Sequence, residues 1–347
     1  MKIGMIFPGF GRQYVGMGKD LYDTSRIVQE YFEEASNCLD ENFVKLCFAS
    51  SDAEITKMHN AYPALFLVSV AIAAHLKDLG IVPDAVAGFN TGEFAALCAA
   101  HGLTFPDGLY ILKKLSQFYQ EEFENKDMIV STVQGVPRDL LDEACTAVST
   151  EDESVAVAFY KSEKENIVSG HFTAFEKLKE YFVGRGVVTY KDISDCFGLH
   201  SSLMNNVVEQ LRVYLAKVDF KDSSLPLLSS FSGKALIKGE DSKEELISQL
   251  SNPLACDKLG KEFEEYDLLI EVGSGSELGD YIKACYPDKK FVTIQKQADV
   301  EQLLSMVKEQ ETTNEEVAVS ENEAIEVKNS EQHDDTGENK EITETSE

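Results

Sequence analysis

The sequence has no Cys-x-x-Cys pair, no long apolar run and few basic side chains. Its seven cysteines are scattered and odd in number, so we expect neither a disulfide framework nor a zinc site. A reducing cytoplasm suits such cysteines. No run of about 18 apolar residues occurs, so no transmembrane helix is expected. The first apolar run ends at Pro8-Gly9, so it is too short for the hydrophobic segment of a secretory signal. We predict that it forms a buried strand instead.

Acidic side chains outnumber basic ones by 61 to 32, which gives a net charge of −29. A chain this acidic repels nucleic acid and anionic membrane surfaces, so we expect neither as a partner. Residues 311–347 carry −11 of the charge and hold no aromatic side chain. We predict that this segment is a disordered tail, which either keeps the protein soluble or docks on a basic partner.

The 347 residues, 43% of them hydrophobic, suffice for one large α/β domain with a smaller inserted one. Apolar runs predict strands at 2–7 and 84–88 and a long buried helix over 63–79. A tight turn at 89–92 follows the second strand, and an alanine-rich helix begins directly after it. This strand–turn–helix unit is the most informative local feature of the sequence.

The pattern of predicted elements changes between residues 127 and 196, where short strands and helices follow one another. Strands are predicted at 128–135, 154–160, 166–170 and 187–193, with helices at 140–148 and 174–185. The order β-α-β-β-α-β is the ferredoxin-like pattern. We therefore predict a ferredoxin-like insert at 127–196 in a core formed by 1–126 and 197–300. A helix over 200–218 is predicted to follow the insert.

The tight turn has the frame of a Gly-x-Ser-x-Gly elbow. Such an elbow holds a serine on a strained strand-to-helix turn, where the following backbone amide helps to bind an oxyanion. Here Gly88 and Gly92 keep the frame, but Asn90 stands where the serine would be. Alone, this glycine spacing is weak evidence for a catalytic elbow, since most glycine pairs at this spacing form ordinary turns.

Other segments in a fixed order make the pattern specific. They are Phe7-Pro8-Gly9-Phe10-Gly11-Arg12-Gln13 with Gly16-Met17-Gly18, Pro63-Ala64-Leu65, Gly88 to Glu93, Ser169-Gly170-His171, His200-Ser201-Ser202-Leu203-Met204, Asn252-Pro253 and Glu271-Val272-Gly273-Ser274-Gly275. Over residues 3–295 the chain resembles the malonyl-CoA:acyl-carrier-protein transacylase family.

This resemblance implies an α/β-hydrolase-like acyltransferase core with a ferredoxin-like small domain. It implies a ping-pong reaction in which a serine takes malonyl from coenzyme A and passes it to a carrier protein's pantetheine thiol. His200 matches the catalytic histidine, with its ring oriented by a backbone carbonyl near Asn252. The implied partners are an acyl-carrier protein and coenzyme A or a pantetheine chain. A coenzyme A thioester is the expected ligand, and neither a metal nor another cofactor is expected.

The chain departs from the family pattern at five polar site positions. The serine is Asn90, the preceding histidine is Phe89, the opening-loop glutamine is Phe10, the carboxylate-binding arginine is Leu115, and the glutamine before Pro63 is Tyr62. A carboxamide cannot form an ordinary acyl-enzyme, so we predict a catalytically degenerate protein. The candidate catalytic positions are His200 and Asn90, and the candidate binding positions are Phe10, Gly11, Thr91, Leu115 and Asn252.

Alternatives remain open at this point. The chain could be a working S-malonyltransferase or related acyltransferase with a non-standard site centred on His200, or it could keep only a structural role. Thr91 could act as a displaced nucleophile, although an elbow presents one side chain to the pocket. Cys98 or Cys196 could pair with His200, although a small buried cysteine is commoner. Arg12 is either a replacement anion contact or a surface side chain.

Overall fold

The computed structural model describes residues 1–186, 188–193, 199–255, 262–275, 279, 282 and 286–310. Cys196 and the acidic segment 311–347, predicted above to be disordered, lie outside these residues. Packing divides the chain into a unit of Met1–Asp299 and a second unit of Val300–Glu347. In the described part of the second unit, residues 300–310 are helical.

The described strands belong to two sheets. In chain order they are β1 (Ile3–Phe7), β2 (Ala85–Gly88), β3 (Met128–Gln134), β4 (Val155–Tyr160), β5 (Glu165–His171), β6 (Thr189–Ile193), β7 (Leu227–Ser229), β8 (Ala235–Leu236), β9 (Leu254–Ala255), β10 (Leu268–Val272) and β11 (Lys290–Ile294).

Eleven α-helices have bounds that are fully described, five of them between β1 and β2. They are α1 (Lys19–Thr24), α2 (Arg26–Leu39), α3 (Phe43–Ala49), α4 (Asp52–Ile55), α5 (Met58–Asp78), α6 (Gly92–Ala99), α7 (Phe105–Phe123), α8 (Arg138–Val148), α9 (Phe172–Tyr181), α10 (Asn205–Leu215) and α11 (Gly239–Ser251), with a 3₁₀ turn at Ser202–Met204.

The larger sheet has the strand order β11-β10-β1-β2-β7-β8. All of its neighbouring pairs are parallel except the edge pair β7–β8. Strands β1, β2 and β10 are buried along their whole length, as expected for central strands of a parallel sheet covered on both faces. The carboxyl ends of β10, β1 and β2 therefore lie side by side at one edge, where open α/β sheets bind their ligands.

Helix α5 is the central helix of the fold. It is long and apolar enough to cross a membrane by length and composition, but 83% of its most apolar window is buried within the protein. That burial is typical of a core helix, so its apolar character is explained by packing. Its bounds extend the predicted helix at 63–79 by more than one turn at the amino end.

The smaller sheet has the order β6-β3-β5-β4-β9. Strands β3 to β6 pair antiparallel, and the short β9 adds in parallel to the edge of β4. Helices α8 and α9 cover this sheet through a core that includes Val133, Leu141, Val168 and Phe175. Strand β9 was not predicted, because two residues carry no periodic signal.

Two predicted helices differ from the structure. The helix predicted over 200–218 is a 3₁₀ turn followed by α10, which begins at Asn205. It starts late because His200 has a left-handed backbone, with φ +53°, which no right-handed helix tolerates. Helix α9 ends at Tyr181 and not at residue 185, because Gly184 has φ +76°.

Close backbone contacts at the carboxyl edge of the larger sheet require glycine. A methyl group at Gly92 would lie 2.2 Å from the Phe7 carbonyl oxygen, and one at Gly9 would lie 2.3 Å from the Phe89 carbonyl oxygen. Side chains are therefore excluded where the first loop meets the β2–α6 turn. This explains physically why glycines recur in both segments.

Replacing Gly92 by alanine should destabilise the protein by about 3 kcal/mol, because the new methyl group meets backbone that cannot move freely. Urea denaturation measures the loss. Gly184→Ala is the matched control, since Gly184 has positive φ but open space around it. It should cost only about 1 kcal/mol. Equal losses in the two variants would show that the close approach is not what matters.

Candidate active site

Asn90 lies at the tip of the turn between β2 and α6, as the elbow frame predicts. Its backbone is left-handed, with φ +53°. Apart from glycine, asparagine and aspartate adopt this conformation most readily, because their short polar side chains bond to nearby backbone. The Thr91 backbone N–H donates to the Asn90 Oδ1 at 2.5 Å, which is such a bond.

His200 faces Asn90 as predicted from the order of the two segments. The two side chains are hydrogen-bonded, with 3.0 Å between Asn90 Nδ2 and His200 Nε2. The other ring nitrogen, Nδ1, lies 2.6 Å from the Gln249 carbonyl oxygen at the end of α11. This carbonyl is the one expected near Asn252, three residues further along the chain.

These contacts fix the tautomer of the histidine. A carbonyl oxygen can only accept, so His200 Nδ1 carries the proton and donates to Gln249. Nε2 is then an acceptor, and it accepts from the Asn90 Nδ2–H. The same amide orientation leaves Oδ1 free to accept from Thr91. All three hydrogen bonds are consistent with one neutral arrangement.

Burial keeps His200 neutral. Its exposed fraction is 5%, and desolvation lowers its pKa to about 4, although the hydrogen bond to Gln249 works in the opposite direction. The imidazole therefore carries no charge at neutral pH. Chemically, the site offers one unprotonated ring nitrogen, and an asparagine amide already occupies it.

Three positions that depart from the family pattern, Phe10, Phe89 and Leu115, have apolar surroundings or aromatic neighbours. Phe10 packs edge-on against Tyr62, with ring centroids 5.4 Å apart, so two positions that the resemblance gives as glutamines meet as an aromatic pair. Phe89 packs edge-on against Phe159 of β4 at 6.0 Å. Leu115 is buried in α7, with 1% of its surface exposed.

Gly11 and Asn252 have exposed, polar settings. The Gly11 N–H donates to the Gln13 side chain at 3.0 Å within the opening loop. The Asn252 side chain donates back to the Ser248 carbonyl at 2.8 Å, at the carboxyl end of α11. In this structure the carbonyl that orients the histidine belongs to Gln249, while the side chain of Asn252 closes the end of the helix.

The alternative nucleophiles have different surroundings. The Thr91 hydroxyl is buried and has no hydrogen-bond partner among the described residues. Desolvation, aided by Glu34, raises the pKa of the Cys98 thiol to about 12, so this cysteine is not a thiolate at neutral pH. Cys196 lies outside the described residues.

Arg12, the candidate anion contact, is half-buried. Its backbone carbonyl accepts from the Ser274 hydroxyl at 2.5 Å, which connects the opening loop to the Gly273–Gly275 turn.

Two buried acids were not predicted. Glu93 is fully buried on α6, and its carboxyl oxygens have no hydrogen-bond partner among the described residues. Desolvation, followed by the nearby Glu245 on α11, raises its pKa well above the usual range. Glu245 is also buried and accepts from the Ser229 hydroxyl and, at 3.0 Å, from the Ser232 N–H. Glu93 directly follows Gly92 in an otherwise apolar helix, and this was the only sequence signal.

Comparison with known proteins shows which family has this architecture. A malonyl CoA-acyl carrier protein transacylase of Bacillus subtilis (strain 168) is 29% identical over 311 residues, which cover 89% of this chain and 98% of the relative. A solved transacylase of that name from Clostridium perfringens superposes with a TM-score of 0.85 at 26% identity, covering 91% of this chain and all of the other.

A malonyl-transacylase solved in complex with a type II PKS acyl-carrier protein shares the fold, with a TM-score of 0.83 over 88% of this chain and 99% of the other at 24% identity. The acyl transferase domain family matches residues 5–331. Its match spans both described sheets, the elbow with Asn90, and the segment with His200. The chain therefore belongs to the acyl transferase domain family.

Proposed function

We propose that this chain is a malonyl-CoA:acyl-carrier-protein transacylase-like protein that has lost catalysis and acts by binding an acyl-carrier protein or a pantetheine chain. The observation that carries this proposal is the position of Asn90, whose carboxamide stands at the elbow and bonds to both Thr91 and His200. A role in fatty-acid or polyketide metabolism is supported by similarity to malonyl CoA-acyl carrier protein transacylases and to a malonyl-transacylase solved with a type II PKS acyl-carrier protein.

Asn90 removes the nucleophile in the proposed state. A Ser-His pair works because the histidine takes a proton from a hydroxyl that then attacks the acyl carbon. An amide N–H gives up its proton far less readily, and its nitrogen lone pair is delocalised into the carbonyl. His200 keeps a base-like geometry, but among the described residues its partner at the elbow is the Asn90 amide nitrogen and not an attacking oxygen.

Leu115 argues against a malonyl substrate. An arginine at this position would pair with the malonyl carboxylate through a charged contact worth about 2–5 kcal/mol when buried. Leucine offers no such partner, and this side chain is buried, with 1% of its surface exposed. A carboxylate placed there would lose its hydration without compensation.

The organisation of the protein follows the same proposal. We infer a ferredoxin-like insert at 127–196, supported by the order β6-β3-β5-β4, which is that of a β-α-β-β-α-β unit.

The proposed location and partners have separate support. The free thiols of Cys38, Cys47, Cys98 and Cys145 support a cytoplasmic location. A pantetheine-bearing partner is supported by the relative solved with an acyl-carrier protein. Docking of the acidic segment on a basic partner stays part of the proposal.

Intact mass spectrometry tests the loss of catalysis. After incubation with malonyl-CoA or acetyl-CoA, we expect no acyl adduct on the wild-type protein, because an amide, not a hydroxyl, is bonded to His200 Nε2 at the elbow. An adduct that is absent from the His200→Ala variant would instead establish the second candidate function, an acyltransferase that uses a non-standard site centred on His200.

The Asn90→Ser variant should acquire slow acylation and no efficient malonyl transfer. Serine regains a hydroxyl, and His200 could contribute about 10²–10⁴-fold as its base. Leu115 still offers the malonyl carboxylate no charged partner, so acetyl-CoA, whose acyl group carries no charge, should react better than malonyl-CoA. Adding Leu115→Arg should shift the preference towards malonyl-CoA. If Asn90→Ser alone transfers malonyl at about 1–10³ per second, Asn90 is the only defect.

His200 should resist protonation. In nitrogen NMR spectra its ring should stay neutral from pH 7 to pH 5 and titrate near the pKa of about 4. An unfolded histidine titrates near 6.5, so the unfolded chain takes up the proton first and stability falls as the pH drops through this window. Relative to His200→Asn, the wild type should lose about 2 kcal/mol between pH 7 and pH 5. A ring that titrates near 6.5 would contradict the buried geometry.

A further inference from the structure

Two polar groups contact the Asn90 amide at the elbow, and we call them the two poles of the site. One is the Thr91 backbone N–H at the start of α6, a donor suited to a carbonyl oxygen. The other is His200 Nε2, which the Gln249 carbonyl forces to act as an acceptor. In this structure one side chain satisfies both, and it does so with an acceptor oxygen and a hydrogen donor on the same carbon. That group is a primary carboxamide.

The Asn90 side chain satisfies both poles at once. Its Oδ1 accepts from Thr91 at 2.5 Å, and its Nδ2 donates to His200 at 3.0 Å. Because the amide is tethered to the elbow itself, it competes with any diffusing ligand at a high effective concentration. The left-handed backbone that holds it there is one that asparagine tolerates well.

We propose that the Asn90 carboxamide is a permanent internal ligand of this site, occupying the place of a bound acyl carbonyl. A pantetheine thioester bound at this site would then reach only as far as the elbow, where the Asn90 amide already occupies the Thr91 N–H that an acyl carbonyl would need. This part of the inference rests on the proposed function, whereas the occupancy of the two poles does not.

The Asn90→Gly variant tests the occupancy, because glycine accepts φ +53° and leaves both poles empty. Acetamide is the probe, and the nitrogen resonances of His200 are the readout. We expect saturable acetamide binding that shifts the Nε2 resonance, with an affinity at least about tenfold above that of the wild type, as expected for two recovered hydrogen bonds. Asp40→Gly is the matched control, since Asp40 has the same φ of +53° at the exposed end of α2 and should behave as the wild type.

Acetyl-CoA and coenzyme A then separate this inference from the proposed function. Asn90→Gly should bind acetyl-CoA at least about tenfold more tightly than the wild type, while free coenzyme A should bind both proteins equally. Acetamide binding without any coenzyme A binding would overturn pantetheine recognition and leave the internal ligand established. A folded Asn90→Gly protein that gives no acetamide response would overturn the internal ligand.

Asn90→Asp provides a second measurement if the glycine variant does not fold. Aspartate keeps the shape and still accepts from Thr91, but it offers no hydrogen to Nε2. One proton should then be taken up between the aspartate and Nε2 at pH 6, seen either as imidazolium nitrogen resonances or as a protonated carboxyl carbon resonance. An ionised aspartate beside a neutral His200 at pH 6 would show that Nε2 needs no hydrogen from residue 90 and would overturn the internal ligand.

Discussion

The hydrogen bond from His200 Nδ1 to the Gln249 carbonyl determines the state of the whole site. It is short, at 2.6 Å, and buried, so the ring has one tautomer and one orientation. Nε2 is therefore an acceptor, and a neighbouring group must offer a hydrogen to it. The orientation of the Asn90 amide follows from that demand, and the occupied Thr91 N–H follows from the orientation of the amide.

The elbow can lose its chemistry and keep its shape because the backbone and the nucleophile make separate demands. The turn requires glycine at close contacts and a residue that tolerates positive φ at its tip. Asparagine meets the second demand better than a serine would, since its side chain bonds to nearby backbone. Under the proposed loss of catalysis, relief of strain at the tip favours asparagine, in the way that catalytic sites commonly trade stability for function.

The sequence predicted those parts of the structure that depend on backbone geometry or on long periodic segments. The strand–turn–helix unit, the core helix α5 and the meeting of Asn90 with His200 all follow from glycine spacing, apolar runs and the order of segments. Gln249 could not be predicted as the orienting residue, because it contributes a backbone carbonyl that any side chain could carry. The Glu93–Glu245 pair was missed because burial of an acid contradicts the ordinary pattern and depends on how α6 and α11 pack.

Two buried groups near the elbow, His200 and Glu93, favour their uncharged forms. A lowered pKa keeps His200 neutral, and a raised pKa favours the neutral acid at Glu93. Their effects on stability have opposite signs. Below an unfolded pKa of 6.5 the histidine costs stability as the pH falls, whereas above 4.5 the glutamate costs stability as the pH rises. Between these values the two slopes partly cancel. The neutral Asn90 carboxamide matches the neutral His200 to which it is hydrogen-bonded, whereas an ionised carboxylate in its place would offer no hydrogen to Nε2.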